Sequence, residues 1–189
     1  MNTESKTIEI DDSGTGDLVG DAFIGFHITE TGHLLFKAIP VKLYNEENLR
    51  KGAPKKKILE VVREGLEELN YNKEIDKVKL CRGDCFDMVR IYFEDKNINY
   101  EPSIIDGVLQ TAVEGKLVTH LRNLGVRSKK LSIDSGVERY FILFNWVCRD
   151  FPKREKYVKT GFKKWKTVWR ERAIENYNKY KIIKRNRRY

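Results

Sequence analysis

The chain has 189 residues, a formal net charge of +9 and 40% hydrophobic residues. This length predicts one domain, or one domain with an appendage, and the hydrophobic content is sufficient for a core. No apolar run approaches the roughly 20 residues that span a bilayer, and the first residues lack a signal peptide's apolar region. We therefore expect a cytoplasmic protein with no membrane partner.

The positive charge is concentrated in the C-terminal part of the chain. Residues 152–189 contain 15 Lys and Arg and three Glu, a balance of +12 that leaves −3 for the other 151 residues. Such asymmetry indicates a polyanionic partner, most often nucleic acid, although a solvated basic helix has the same composition. We divide the chain into a body, residues 1–151, and a basic C-terminal helical extension, residues 152–189.

The first 40 residues predict an antiparallel meander of three strands, over residues 7–12, 22–29 and 34–39. Asp11 and Asp12 end the first strand and precede a turn with glycines on either side of Thr15. Asp oxygens suit Mg²⁺ or Mn²⁺, and glycines let a backbone approach a ligand closely, although Asp-Ser-Gly is also ordinary turn chemistry.

The middle of the chain alternates between helical and strand patterns. Residues 55–70 predict an amphipathic helix and residues 77–80 a strand, whereas residues 82–99 are compatible with either. A second helix begins at Ser103 as N-cap and runs to about Leu124, followed by Gly125 as a left-handed C-terminal glycine.

A strand is predicted at residues 130–134, with Asp134 as its last residue. A helix followed by a strand predicts a right-handed crossover, here onto the strand at residues 7–12 as a parallel neighbour. Asp134 would then lie at the carboxyl edge of the sheet, where sites of α/β folds gather.

The remaining motifs each allow more than one interpretation. Cys81 and Cys85 could form half of a zinc site, but reduced, partly buried thiols are favoured, and an odd cysteine count argues against a disulfide framework. Residues 140–147 are an aromatic-rich run that we expect to be buried, and its type of secondary structure is left undecided. Trp165 and Trp169 are spaced for one helical face, either packed on the body or stacked on a base.

These motifs together resemble the type 2 ribonuclease H family. That family opens with a strand ending in Asp-Glu, a Gly-x-Gly turn and a further glycine, and Asp11 to Gly20 follow this layout. A later helix leads into a strand that ends Ile-Asp-Gly, which Ile133-Asp134-Ser135-Gly136 resembles, and the pair Arg149-Asp150 resembles the family's last catalytic Asp. The resemblance covers roughly residues 7–150.

The resemblance implies a ribonuclease H-like α/β fold with a mixed sheet, whose first three strands are antiparallel and the later ones parallel, and with helices on its faces. It also implies endonucleolytic cleavage of RNA in RNA–DNA hybrids with two Mg²⁺ or Mn²⁺ ions. The implied catalytic metal ligands are Asp11, Asp12, Asp134 and Asp150. The substrate contacts are the turn that reads a 2′-hydroxyl and the basic segment, namely Gly14, Thr15, Gly16, Lys163, Lys164 and Lys166.

Three departures from the family pattern keep other functions open. Asp12 stands where the family has Glu, Asp21 replaces a usual Pro, and only 16 positions separate Asp134 from Asp150. The alternatives are a non-catalytic nucleic-acid-binding module and a nuclease of other specificity on the same scaffold. The pattern leaves the oligomeric state open.

Overall fold

The computed structural model describes residues 4–132, 136–162 and 164–186, and it contains a five-stranded mixed sheet. The strands are β1 (Thr7–Ser13), β2 (Ala22–Ile28), β3 (His33–Ile39), β4 (Lys77–Cys81) and β5 (Tyr100–Ser103). Their order is β3-β2-β1-β4-β5, with β1, β2 and β3 antiparallel and β1, β4 and β5 parallel. The predicted α/β class and the mixed sheet with three antiparallel strands first are confirmed.

Helices cover both faces of the sheet. The α-helices of the described residues are α1 (Glu46–Arg50), α2 (Ala53–Glu68), α3 (Asp87–Asp95), α4 (Val108–Asn123), α5 (Gly136–Arg149), α6 (Phe151–Arg154) and α7 (Arg170–Asn186). Side chains alternate between faces along a strand. Ile24 and Phe26 of β2 therefore belong to a core with α2 and α3, whereas Phe23 belongs to a second core with α4, α5 and α7.

Close helix-to-sheet packing depends on two glycines. At Gly25 of β2, a Cβ would lie 2.9 Å from Leu109 of α4. At Gly65 of α2, a Cβ would lie under 3.0 Å from three atoms of the Phe26 ring. The absence of a side chain at both positions lets α2 and α4 approach β2 from opposite faces.

Replacement of Gly65 by alanine is expected to lower the free energy of unfolding by about 1–3 kcal/mol, because the methyl group overlaps a buried ring. This loss outweighs the gain of up to about 1 kcal/mol that alanine gives in a helix. Gly115→Ala is the matched control, since no atom lies within 4 Å of its Cβ position and the substitution should stabilise α4. Urea denaturation measures the free energy of unfolding of both variants. Equal stabilities of the two variants would show that α2 can move away from Phe26.

The start of α4 differs from the prediction. Ser103 is the last residue of β5, where it pairs with Cys81, and α4 begins at Val108 after Gly107, whose φ is +71°. Ser103 cannot cap a helix from within a strand, so the predicted N-cap is wrong. Gly125 does follow the helix with a φ of +99°, as predicted.

The parallel neighbour of β1 is β4, not the segment at residues 130–134. Ile8–Ile10 of β1 pair with β2 on one side and with β4 on the other, so no edge is left there for another strand. Lys130–Ser132 form a turn that places Leu131 in the second core. The crossover prediction is therefore wrong in its partner, and Ile133 and Asp134 lie outside the described residues.

The two segments whose secondary structure the sequence left undecided, residues 82–99 and 140–147, both form helices. Residues 87–95 form α3 and residues 136–149 form α5, because their apolar side chains bury one helical face each. No helix within the described ranges is long and apolar enough to cross a membrane.

The C-terminal segment begins in contact with the body. Val158 bridges to Val19, and Ala173 of α7 is buried in the second core. Trp165 is 2% exposed at the start of a π-helical turn, and the Trp169 ring lies 5.2 Å from the Phe144 ring. Both tryptophans therefore pack on the body, and Trp165 is not accessible to a base.

Candidate metal centre

The carboxyl ends of β1 and β4 bring two carboxylates and a thiol together. These parallel strands are paired as far as Ile10 and Leu80, so Asp11, Asp12 and Cys81 follow at the same edge of the sheet. One potential ligand atom from each of the three lies within 4.8 Å of the other two. The three side chains are therefore close enough to share one cation.

Two neighbouring donors hold the Asp12 carboxylate. Thr15 Oγ1 donates to Asp12 Oδ2 at 2.6 Å, and Cys85 Sγ donates to Asp12 Oδ1 at 3.3 Å. Thr15 belongs to the turn after β1, and Cys85 lies in the short 3₁₀ helix that follows β4. Because a single carboxylate accepts from both, its orientation is fixed before any ligand binds.

Burial and mutual repulsion strain the acidic groups. Burial raises the pKa of Asp11, a hydrogen bond from Cys81 opposes this, and the charges of Asp12 and Glu114 raise it again. Burial and the bond to Asp11 raise the pKa of the Cys81 thiol to about 12. Since a bound cation favours the deprotonated form of its ligands, a cation would reverse both shifts and remove the repulsion.

A third carboxylate, Glu114, comes from α4. A cavity of about 280 Å³ is lined by Asp11, Asp12, Cys81 and Glu114. Glu114 Oε2 accepts a hydrogen bond from Arg139 at 3.0 Å and remains partly exposed. The sequence pattern did not single out Glu114, but it carried a signal, because this is the one acidic residue between Val108 and Asn123.

The glycine turn lies beside this centre. Gly14 has a φ of +83°, and its carbonyl accepts from the backbone N–H of Asp17 at 3.2 Å. No atom lies within 4 Å of a Cβ position at Gly16, so the turn is open on that side. Backbone groups at Gly16 are thus accessible to a ligand, whereas the Thr15 hydroxyl is engaged with Asp12.

A fully buried lysine supports the turn from behind. Lys159 donates from Nζ to the Gly14 carbonyl, and its ammonium lies 4.4 Å from the centre of the Tyr44 ring. Burial lowers the pKa of Lys159 to about 8, although the charges of Asp17 and Asp21 oppose the shift. The position of the turn therefore depends on a charge held in the interior.

The other acids that the resemblance implied are not part of this group as described. Asp134 lies outside the described residues. Asp150 precedes α6 as its N-cap, and its carboxylate lies 3.8 Å from Lys153 Nζ. Among the described side chains, the group of ligand atoms within 4.8 Å contains Asp11, Asp12 and Cys81. A ligand role for Asp134 or Asp150 stays a prediction.

The lysines predicted to contact substrate have different surroundings. Lys163 lies outside the described residues. Lys164 has a φ of +68° and precedes the π-helical turn, and Lys166 Nζ lies 3.4 Å from Glu46. Their contact with nucleic acid stays a prediction.

No protein-family model matches the chain, and no curated protein sequence matches it significantly. The type 2 ribonuclease H resemblance therefore remains a hypothesis, and the geometry of Asp11, Asp12 and Glu114 is the basis on which a function can be inferred.

Proposed function

We propose that this chain is a metal-dependent phosphodiesterase of ribonuclease H-like fold, which cleaves RNA in RNA–DNA hybrids. The observation that carries the proposal is the convergence of Asp11 and Asp12 at the carboxyl edge of β1, with Glu114 lining the same cavity. The sheet supports it, because three antiparallel strands followed by parallel ones are the arrangement that the resemblance implies.

The donor set fits hard divalent cations. Carboxylate oxygens are preferred ligands of Mg²⁺ and Mn²⁺, and the Cys81 thiol adds affinity for softer ions. Asp11, Asp12 and Glu114 would hold the cations, with Asp134 and Asp150 as further ligands by resemblance. Such cations would supply activation of a water molecule and charge stabilisation of the leaving oxygen of a phosphodiester.

The protein's own groups would position the substrate. The exposed backbone at Gly16 would contact the sugar, where a 2′-hydroxyl can both donate and accept a hydrogen bond. Lys159 fixes the Gly14 carbonyl, and Thr15 is fixed by Asp12, so the turn is ordered before substrate arrives. The basic residues after Pro152 would contact phosphates away from the cleaved bond.

A non-catalytic nucleic-acid-binding module is the second candidate. It is favoured by Cys81, a thiol at the carboxyl end of β4, beside the two carboxylates. A protonated thiol neutralises no cation charge, so this centre would bind hard cations more weakly than one built from carboxylates alone.

Glu114→Gln distinguishes the candidates. We expect it to lower the cleavage rate of an RNA–DNA hybrid in Mn²⁺ by about 100-fold or more, because a cation stabilises the transition state by several kcal/mol. It should also weaken Mn²⁺ binding, measured by calorimetry. Glu60→Gln, the same change at an exposed site on α2, is the control. Hybrid binding without cleavage by the wild-type protein would favour the second candidate instead.

A further inference from the structure

A basic cavity lies away from the metal centre, between the loop after α4 and helices α5 and α6. Its volume is about 660 Å³. The basic side chains that line it are Arg127, Lys129, Lys130, Arg149 and Arg154. No acidic residue of the described chain lines it, and the nearby Asp150 has Lys153 as its ion-pair partner. The cavity therefore has a strong positive potential and is large enough for a small anion.

A buried hydrogen-bond donor in the cavity wall has no acceptor. Trp146 is 7% exposed, and its Nε1 has no partner in the described structure. A Cβ at Gly125 would lie 4.0 Å from Nε1, and both residues line the cavity. Because Nε1 has almost no accessible surface, Trp146 contributes to the cavity wall through its ring, over which Arg154 lies, and not through its N–H.

The guanidinium of Arg154 is fixed in the same wall. It lies 4.4 Å from the centre of the Trp146 ring, and Nη1 donates to the Trp146 carbonyl at 2.6 Å. A guanidinium presents five N–H donors in a rigid fork, so donors remain for a ligand after this bond is made. Because Arg154 is already ordered, it would lose little conformational entropy on binding an anion.

We propose that this cavity is a phosphate-binding site, in which the guanidinium of Arg154, held over the Trp146 ring, donates to phosphate oxygens. Arg127 and Lys130 on the loop after α4 neutralise the charge. The inference does not depend on the metal centre, because the two cavities share no lining residue. The phosphate belongs either to a nucleic-acid backbone or to a free phosphate compound, and the two sources can be separated by experiment.

Pyrophosphate binding, measured by calorimetry on the full chain in EDTA, tests the site. We expect the double variant Arg127→Gln/Lys130→Gln to bind pyrophosphate about tenfold more weakly or worse, because two charge-assisted contacts are lost. The control is Lys73→Gln/Lys96→Gln, which removes the same charge from exposed turns. Equal affinities of the two double variants, or no binding to the wild-type protein, would overturn the proposal.

Binding of a fluorescent RNA–DNA hybrid in EDTA identifies the source of the phosphate. If the site holds a nucleic-acid backbone, the Arg127/Lys130 variant also binds the hybrid more weakly. The slope of log affinity against log salt then falls by about 0.9 per lost contact, the value for B-form duplexes. If the site holds a free phosphate compound, the two double variants bind the hybrid equally while their pyrophosphate affinities differ. Either result is independent of whether the protein cleaves the hybrid.

Discussion

Replacing Asp11 by asparagine is expected to abolish cleavage of an RNA–DNA hybrid and to leave the metal-free protein folded. Asp11 is 7% exposed and is repelled by the charges of Asp12 and Glu114, so its carboxylate is a source of strain without a cation. Asparagine removes that charge and keeps the shape. The melting temperature in EDTA should therefore hold or rise slightly, while the cleavage rate in Mg²⁺ or Mn²⁺ falls by about 1,000-fold or more.

Asp95→Asn is the matched control, because this carboxylate is exposed at the end of α3. Its cleavage rate and melting temperature should match those of the wild-type protein. A metal-free Asp11→Asn protein whose melting temperature fell by many degrees would show that Asp11 is a structural residue rather than a cation ligand.

Lys159 is expected to make stability rise with pH in an alkaline range. The ordinary lysine pKa of 10.5 is lowered to about 8 in the folded protein. Folding therefore destabilises the charged ammonium by about 3 kcal/mol relative to the neutral amine. Between these two values the unfolded chain binds the proton and the folded protein does not, so stability increases as pH rises. Relative to Lys159→Met, the free energy of unfolding of the wild-type protein should therefore increase by about 3 kcal/mol from pH 8 to 10.5.

The comparison with Lys159→Met is necessary because the buried thiols act in the opposite direction. The pKa of Cys81 is raised to about 12, so its contribution to stability falls as pH rises above its ordinary value of 9. Both proteins contain this thiol, and its effect cancels in the difference. Lys156→Met, at an exposed site, controls for the loss of one positive charge. A difference between wild type and Lys159→Met that stays constant across this pH range would show that the buried ammonium is not destabilised.

The opening of the chain could be predicted because its signals are local. Alternation of apolar residues, two acids and closely spaced glycines determine β1, the turn and β2 within residues 7–28, and the structure has these elements there. The apolar run at residues 34–39 also predicted β3, and helical spacing predicted α2.

The sequence marks Glu114 only as the one acidic residue of α4, and its place beside Asp11 depends on tertiary packing. Glu114 lines the cavity only because α4 crosses β1 and β2, and that crossing relies on the bare backbone at Gly25. The choice of Asp134 assumed that the strand after the long helix pairs with β1. The short run at residues 77–81 takes that position instead, so β4 brings Cys81 to the edge. Strand pairing over such distances depends on which edge is already occupied, which local patterns do not encode.

The most direct test of the metal-dependent phosphodiesterase is cleavage of a labelled RNA–DNA hybrid by the full chain, first in EDTA and then after Mn²⁺ is added in excess. We predict no cleavage in EDTA, cleavage of the RNA strand once Mn²⁺ is present, and complete loss of that activity in Asp11→Asn. Cleavage at the same rate in EDTA, or Mn²⁺-dependent cleavage that Asp11→Asn retains, would contradict the assignment of this centre.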